Sequence, residues 1–389
     1  MQRLRIVEGF FWEGFGMART QSVVAFALTL MAAAGAMAIG CSSTTDDDSP
    51  VDTADGSADG DDTNSADACC ARPATAKIYA TIVSHNEQPT GNAPCQAVYA
   101  SKESYLANRA LLLKFAKGVI ERGATYDQQN DYNFIDLVSQ YDTDSSVNAD
   151  TEGMNVLKYI HTKGAGKIAI DVHHHPAGGV GYADVAYRLN QLGIEDNGVV
   201  GGFLFYPEAN AETEAMRAAA TDGVAGTEHP EKKWYPKLLW GGGTAGHTGD
   251  SEVSGVWRPK SNADFYTDDP SSPLPNVGSS YDQLTAGGLL ALIDQAKAGT
   301  LVEGKLYTAA FMVNQCEMTE DSIASAFAIL DQVNEAVAGG YVEWHTLNQT
   351  VDDWKSKFAS EPFTVVYSTG ADGDAGGMPE GGKIPLEGG

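Results

Sequence analysis

The sequence predicts an α/β protein, an irregular (β/α) barrel of about seven or eight parallel strands, and three observations support this class. Apolar, β-branched segments alternate along the chain with amphipathic segments of helical spacing. The strand-like segments are apolar throughout, which is typical of parallel strands buried on both faces. The region that carries the pattern, residues 76–366, has the size of one such barrel. An open, doubly wound sheet is the alternative, although no GxGxxG motif follows the first strand.

The individual elements are predicted from periodicity and from the residues that end helices. "KIYATIVSHNE" (77–87) is a strand with a polar end, and residues 101–123 form a helix with Gly123 as its C-cap. Later strands are predicted at "KIAIDVHHH", "VVGGFLFYPE", "KLLWGGG", "VSGVWRP", "KLYTAAFMVNQ" and "YVEWHTLNQ". Helices such as "YADVAYRLNQLG" and "DSIASAFAILDQVNEAVAGG" separate many of them, which favours a parallel sheet covered by helices.

Residues 1–41 are predicted to be a lipoprotein signal peptide, with Met17 as the true start. An apolar run ends in "AIGC", so that Cys41 is the expected site of lipid attachment. Ser42 after this cysteine favours sorting to the outer membrane of a bacterial envelope. The alternative is an uncleaved transmembrane anchor, because the apolar run approaches the ~20 residues that a span needs.

The two flanking segments are predicted to be disordered. Residues 42–75 carry nine aspartates and one arginine, and they contain too little apolar surface to form a core. The glycine-rich residues 367–389 resemble a flexible tail. The whole chain has a formal net charge of −27, which excludes nucleic acid as an expected partner.

Cys95 and Cys316 are the two cysteines of the predicted domain, and we expect them to form a disulfide. Both follow predicted strand ends that open onto one face, and an exported protein meets an oxidising compartment. Two separate thiols are the alternative. The absence of a CxxC pair excludes a zinc ribbon, and the role of Cys69 and Cys70 stays open.

Three of the chain's eight histidines stand in a row at the end of one predicted strand. Side chains alternate along a strand, so His173 and His175 point to one side and His174 points to the other, towards packing or the rim. His85 ends the first strand. Imidazole suits zinc, and we expect a divalent metal, Zn²⁺ by preference, bound by His85, His173 and His175.

Other polar residues at strand ends are candidates for catalysis, since active sites of such barrels lie at the carboxyl ends of the strands. Glu87 or Asp171 is expected to act as a further ligand or as the base. Arg258 or His345 is expected to stabilise an oxyanion or to donate a proton. The alternative is that the histidines are hydrogen-bonded loop residues without a metal.

The strand ending "SHNE", the strand ending "HHH", the helix "YADVAYRL" and the strand "YVEWHTL" resemble the glycoside hydrolase/deacetylase barrel superfamily. Polysaccharide-deacetylase-like proteins and exported bacterial proteins share this pattern. The resemblance implies a distorted seven-stranded (β/α) barrel with a metal at the mouth. It departs from the deacetylases in two places: His85-Asn86-Glu87 replaces paired aspartates, and H-x-H replaces H-x-x-x-H.

These observations predict a lipid-anchored, metal-dependent hydrolase that deacetylates carbohydrate with metal-activated water. Two alternatives remain open. A metal-independent glycosidase would use two carboxylates, Glu87 and Glu208. A non-catalytic lipoprotein would bind glycans through its aromatic residues, which are Trp234, Tyr235, Trp240 and Trp257.

Overall fold

The computed structural model describes residues 76–89, 92–175, 179–205, 211–242, 252–278 and 287–368. The predicted signal peptide with Cys41, the acidic segment with Cys69 and Cys70, the residue Glu208 and nearly all of the predicted tail lie outside these ranges. Within the ranges, no helix combines the length and the hydropathy that a membrane span requires.

The predicted fold class is confirmed, because a mostly parallel sheet curls into a nearly closed barrel. The strands are β1 (Lys77–His85), β2 (Tyr126–Asn130), β3 (Ile168–His173), β4 (Val199–Leu204), β5 (Val224–Ala225), β6 (Lys233–Trp234), β7 (Leu238–Gly242), β8 (Glu252–Trp257), β9 (Asn276–Val277), β10 (Leu306–Asn314), β11 (Val342–Trp344) and β12 (Phe363–Ser368).

The order around the barrel is β10–β1–β2–β3–β4–β7–β9–β8, and all pairs up to β9 are parallel. β11 lies beside the start of β1, while β5 and β6 form a separate small hairpin. We call the end of the barrel where the parallel strands begin the lower end, and the end where they finish the upper end.

Side-chain hydrogen bonds bridge the seam between β10 and the β8–β9 pair. The Thr308 hydroxyl accepts from the backbone N–H of Gly255 at 2.8 Å and donates to the carbonyl of Gly278 at 2.6 Å. The Ser254 hydroxyl accepts from the N–H of Thr308 at 2.8 Å. These bonds pair buried backbone groups that would otherwise need partners in a neighbouring strand. They connect the two edges of the sheet, so the barrel is nearly closed.

Helices surround the barrel and alternate with many of its strands. They are α1 (Ala93–Val98), α2 (Lys102–Glu121), α3 (Tyr132–Tyr141), α4 (Val156–Gly164), α5 (Tyr182–Gln191), α6 (Ala211–Asp222), α7 (Gly287–Ala298), α8 (Glu320–Ala338) and α9 (Leu347–Lys357). Short 3₁₀ turns occur at Asn148–Thr151 and Gln315–Glu317. Ser101 caps α2 by accepting from the N–H of Ser104, which explains where the predicted helix begins.

Two apolar clusters follow from the alternation of side chains along each strand. The outer cluster joins the sheet to the helices and includes Ile82, Phe115 and Leu330. The inner cluster fills the barrel and includes Val83, Trp240 and the side chains of α9 that close its lower end. Each fully buried side chain of this size contributes roughly 1.5–3 kcal/mol relative to exposure.

The structure departs from an all-parallel barrel at its last strands. β8 runs antiparallel to β9, and β12 runs antiparallel to β8. The predicted strand over 341–349 is only three residues long, because Thr346 caps a helix that begins at Leu347. These departures decide where Arg258 and His345 lie.

Candidate metal centre

β1 and β3 bring two histidines together at the upper end of the barrel. β2 separates these strands, and the register aligns His85 with Gln129 and Gln129 with Asp171. His173 lies two residues beyond Asp171 on the same face. The ring centroids of His85 and His173 are 4.7 Å apart, and both side chains are buried. The parallel arrangement therefore converts two distant sequence positions into one site.

Glu87 completes a group of three potential metal ligands. One nitrogen or oxygen atom from each of His85, Glu87 and His173 lies within 4.8 Å of the other two. Among the described residues, this is the single set of three histidine, cysteine or acidic side chains that converges so closely. The group therefore contains Glu87, which the sequence predicts as a further ligand or the base, and does not contain His175, which the sequence predicts as the third histidine ligand.

His175 lies at the outer edge of this group. Its Nε2 atom is 3.5 Å from Oε2 of Glu87, while Nε2 of His85 is 3.4 Å from Oε1 of the same carboxylate. The side chain of His175 is 27 % exposed, in contrast to the buried rings of His85 and His173. His175 is thus the histidine of the site that solvent reaches.

The protonation states of the group suit a cation. Burial by itself raises the pKa of Glu87, but the close approach of His175 and the charges of His173 and His85 outweigh burial and lower it well below its usual range. Burial lowers the pKa of His173 far below its usual value, against the opposing effect of Glu87. At neutral pH the site therefore presents a carboxylate and a neutral imidazole, the forms that bind metals.

His174 points away from the group, as the alternation along the strand predicts. Its Nδ1 atom lies 3.3 Å from Oδ2 of Asp131 and 3.2 Å from Nε2 of Gln88. Its carbonyl accepts a hydrogen bond of 2.8 Å from the Tyr182 hydroxyl. The Gln88 amide also donates to the carbonyl of His175 at 2.8 Å, so the histidine segment is held from outside the barrel.

The backbone of Glu87 is anchored by the disulfide between Cys95 and Cys316. The structure contains this bond, as the sequence analysis expects, with the two Cα atoms 4.9 Å apart. The N–H of Glu87 donates to Sγ of Cys95 at 3.3 Å, and the Tyr99 hydroxyl donates to the carbonyl of Glu87 at 3.0 Å. The disulfide thus supports the carboxylate of the site through its main chain.

Asn86, between two of the site residues, is fixed in a buried polar network that sequence reasoning missed. Its Nδ2 atom donates to Oδ1 of Asn130 at 3.1 Å and to Oε1 of Gln315 at 2.9 Å. Its Oδ1 atom accepts from the N–H of Asp131 at 2.8 Å. The available signal was the polar run "YDQQND" in a strand that is buried throughout.

Asp171 lies deeper in the barrel and outside the group of three. It is fully buried, accepts from Nδ2 of Asn197 at 3.1 Å and faces the carboxyl group of Asp127. Asp127 in turn accepts from the Thr81 hydroxyl at 2.6 Å and from the N–H of Leu347. Burial raises the pKa of Asp127 to about 7 and that of Asp171 well above its usual value, which favours a shared proton.

Arg258 lies at the lower end, so its expected catalytic role does not fit the structure. Its strand, β8, runs antiparallel and therefore delivers its carboxyl end to the opposite face of the barrel. The guanidinium group pairs with Asp268 at 2.8 Å and lies 5.4 Å from the ring centroid of Trp354 in α9. Arg258 helps to close the base of the fold.

His345 also lies at the lower end, which corrects its prediction as an active-site residue. β11 pairs with the first half of β1, and the N–H of His345 donates to the carbonyl of Ala80. Its ring stacks on Tyr79 at 3.8 Å, and its Nε2 atom is 3.0 Å from Asp353. Tyr79 and His85 are six residues apart on an extended strand, which corresponds to roughly 20 Å.

The tryptophans proposed as a glycan platform are largely core residues. Trp234, Trp240 and Trp257 are buried, whereas Tyr235 is half exposed. Trp257 packs edge-on against Phe265, and its indole N–H donates to the carbonyl of that residue. These three indoles therefore stabilise the fold and offer no open stacking surface in the described structure.

Comparisons with known proteins add little to this site. No family model matches the chain, and no curated protein matches its sequence. Among solved structures, the chain is similar to a 4-alpha-glucanotransferase from Thermococcus litoralis at 12 % identity and a TM-score of 0.36. The match covers 74 % of this chain and 39 % of that one, so the chain spans well under half the length of this neighbour.

Proposed function

We propose that this chain is a metal-dependent hydrolase of carbohydrate that removes acetyl groups from amides or esters. The convergence of His85, Glu87 and His173 at the upper end of the barrel carries the proposal. Two imidazoles and one carboxylate from three positions are a ligand set found in catalytic zinc sites, which keep a further position open for water or substrate.

The residues present fit a divalent ion on two further counts. The ring of His173 is buried, and burial lowers its pKa, so the ring is the neutral imidazole that metals bind. Glu87 keeps its negative charge at neutral pH because three histidines surround it. Imidazole is a softer ligand than carboxylate. A site that combines both suits Zn²⁺, Mn²⁺ or Fe²⁺ better than Ca²⁺.

A divalent ion in this position supplies a Lewis acid that polarises a carbonyl group and makes water nucleophilic near neutral pH. The chain's own residues supply orientation and proton transfer. Glu87 and the two buried histidines hold one face of the site, and the disulfide fixes the main chain of Glu87. We assign to His175, which is partly exposed and has its Nε2 atom 3.5 Å from Glu87, the transfer of a proton to the leaving amine or alcohol.

The reaction class balances with one water molecule. The acyl C–N or C–O bond breaks, a new C–O bond forms to the water oxygen, and acetate leaves while the sugar nitrogen or oxygen gains a proton. The sequence resemblance to the deacetylase barrels supports carbohydrate as the substrate class. The formal charge of −27 favours neutral or basic glycans over acidic ones.

Metal content and acetate release test this function together. We expect the purified chain to bind about one Zn²⁺ and to release acetate from N-acetylated chito-oligosaccharides or acetylated xylan. A chelator should abolish release and added Zn²⁺ should restore it, while Glu87→Gln stays inactive. Purified chain that takes up no metal would exclude the proposal, and a metal-loaded chain inactive on every acetylated glycan would exclude the substrate class.

We further propose that Cys41 carries a lipid that anchors the enzyme to the bacterial envelope. A Cys41→Ser variant should then lose the acyl mass and leave the membrane fraction, because one cysteine carries the attachment. Unchanged mass together with unchanged membrane partitioning would instead support an uncleaved anchor.

A further inference from the structure

Gln129 occupies a central position on the inner face of β2, directly between the two strands that carry the histidines. The register places it beside His85 of β1 on one side and beside Asp171 of β3 on the other. Its side chain is completely buried, and neither Nε2 nor Oε1 has a hydrogen-bond partner among the described residues. A buried amide without partners destabilises the folded state, which makes Gln129 a candidate for a role other than stability.

The adjacent residue Gln128 shows that the unpaired amide is not a general property of this strand. Gln128 points to the outer face, where its Oε1 accepts from the Ser84 hydroxyl at 2.6 Å and its Nε2 donates to Gln315 at 2.7 Å. It is as deeply buried as Gln129. One strand thus carries two buried glutamines, and only the one that faces the site lacks hydrogen-bond partners in the part of the chain that the structure describes.

Two consecutive glycines of β4 leave room for the Gln129 amide and for the His173 ring. A Cβ atom added at Gly201 would lie 2.5 Å from Oε1 of Gln129, and one added at Gly202 would lie 2.9 Å from Nε2 of His173. Gly202 adopts a φ of +73° at a shift in the β4–β7 register. Because neither glycine has a side chain, the Gln129 amide packs against the backbone of Gly201 and the His173 ring packs against that of Gly202. The amide and the imidazole therefore pack over neighbouring residues of one strand.

We propose that Gln129 is a positioning residue for His173, and this inference rests on the metal centre proposed above. A metal-bound histidine generally donates its second ring N–H to an acceptor, which fixes the tautomer and the orientation of the ring. Nδ1 of His173 and Oε1 of Gln129 are a buried donor and a buried acceptor that both lack partners in the described structure. Gln129 accepts this N–H when His173 binds the ion.

The decisive experiment compares Zn²⁺ affinity with stability of the metal-free chain. Gln129→Met keeps the shape and removes the acceptor, so we expect 10–100-fold weaker Zn²⁺ binding in chelator competition. The Tm of the metal-free protein should stay the same or rise, because an unsatisfied amide is lost. In the matched control, Gln128→Met should lower that Tm by a few degrees and leave Zn²⁺ affinity within about twofold.

A second variant guards against a purely structural explanation. Gln129→Glu keeps an acceptor oxygen but buries a carboxyl group, so the metal-free Tm should fall while Zn²⁺ affinity stays near that of the wild type. Unchanged affinity in Gln129→Met would overturn the positioning role, as would equal loss of affinity in both Gln129 variants. Failure of the wild type to bind Zn²⁺ at all would instead overturn the proposed function.

Discussion

The upper and lower ends of the barrel each hold a histidine beside a carboxylate, but the two carboxylates have different surroundings. At the lower end, Asp353 accepts from the Lys357 ammonium at 2.7 Å and from the Tyr79 hydroxyl at 2.9 Å, in addition to its contact with His345. At the upper end, Glu87 contacts His85 and His175, and no lysine or arginine of the described chain forms an ion pair with it.

The comparison separates a structural histidine–carboxylate pair from a site that can take a cation. A lysine already neutralises Asp353, and its pKa is lowered by the hydrogen bonds from Lys357 and Tyr79, which outweigh burial. Glu87 has only histidines as ion-pair partners among the described residues, so its negative charge is available to a ligand. The presence of histidine alone therefore does not mark the functional end of this barrel.

The largest effect on bound metal is expected when single substitutions at the upper end of the barrel are compared with one at the lower end. His173→Ala and Glu87→Gln should each reduce bound Zn²⁺ from about one per chain to near zero after dialysis, because each removes one of three ligands. His345→Ala, at the lower end, should keep its metal. Elemental analysis of the dialysed proteins checks this, and loss of metal in His345→Ala alone would reverse our assignment of the two ends.

A smaller effect is expected from the disulfide that supports the upper end. Cys95 and Cys316 are 221 residues apart in sequence, so in the chain-entropy model their bond stabilises the fold by about 5 kcal/mol. Cys95→Ala with Cys316→Ala should lower the free energy of unfolding by up to this amount, measured in urea. It should also weaken Zn²⁺ binding, since the main chain of Glu87 loses a contact.

Tyr99→Phe serves as the control for this prediction. It leaves the disulfide intact and removes only the hydroxyl that donates to the carbonyl of Glu87. The expected cost is about 1 kcal/mol. A cysteine variant no less stable than Tyr99→Phe would show that the bond contributes little to the fold.

The smallest effect is expected from the buried carboxyl group of Asp127, which makes the stability of the fold depend on pH. The pKa of Asp127 is raised to about 7 in the folded state, above the value near 4 of an unfolded chain, so the folded protein binds more protons between these limits. Stability should therefore fall as the pH rises from about 4 to about 7. Asp127→Asn should flatten this slope in urea titrations at several pH values, and an unchanged slope would contradict the shared proton.

The polar residues at strand ends, and the side of the strand to which each one points, were predictable from the sequence. The alternation of side chains along a strand depends only on local geometry. His173 and His174 point to opposite sides as expected, and the strand ending in His85 has the predicted start. Which end of the barrel each of these strand ends reaches was not predictable from spacing. Arg258 and His345 also end strands, yet an antiparallel strand and a short strand put them at the opposite end.

The sequence by itself determined the α/β alternation, the parallel core and the clustering of histidines at strand ends, since periodicity and residue type act over a few residues. Only the tertiary structure decided that Glu87, and not Asp171, joins His85 and His173, and that His175 stands at the edge. It also decided that Gln129 faces inwards without hydrogen-bond partners among the described residues. These outcomes depend on register and strand direction, which are set by the packing of the whole barrel.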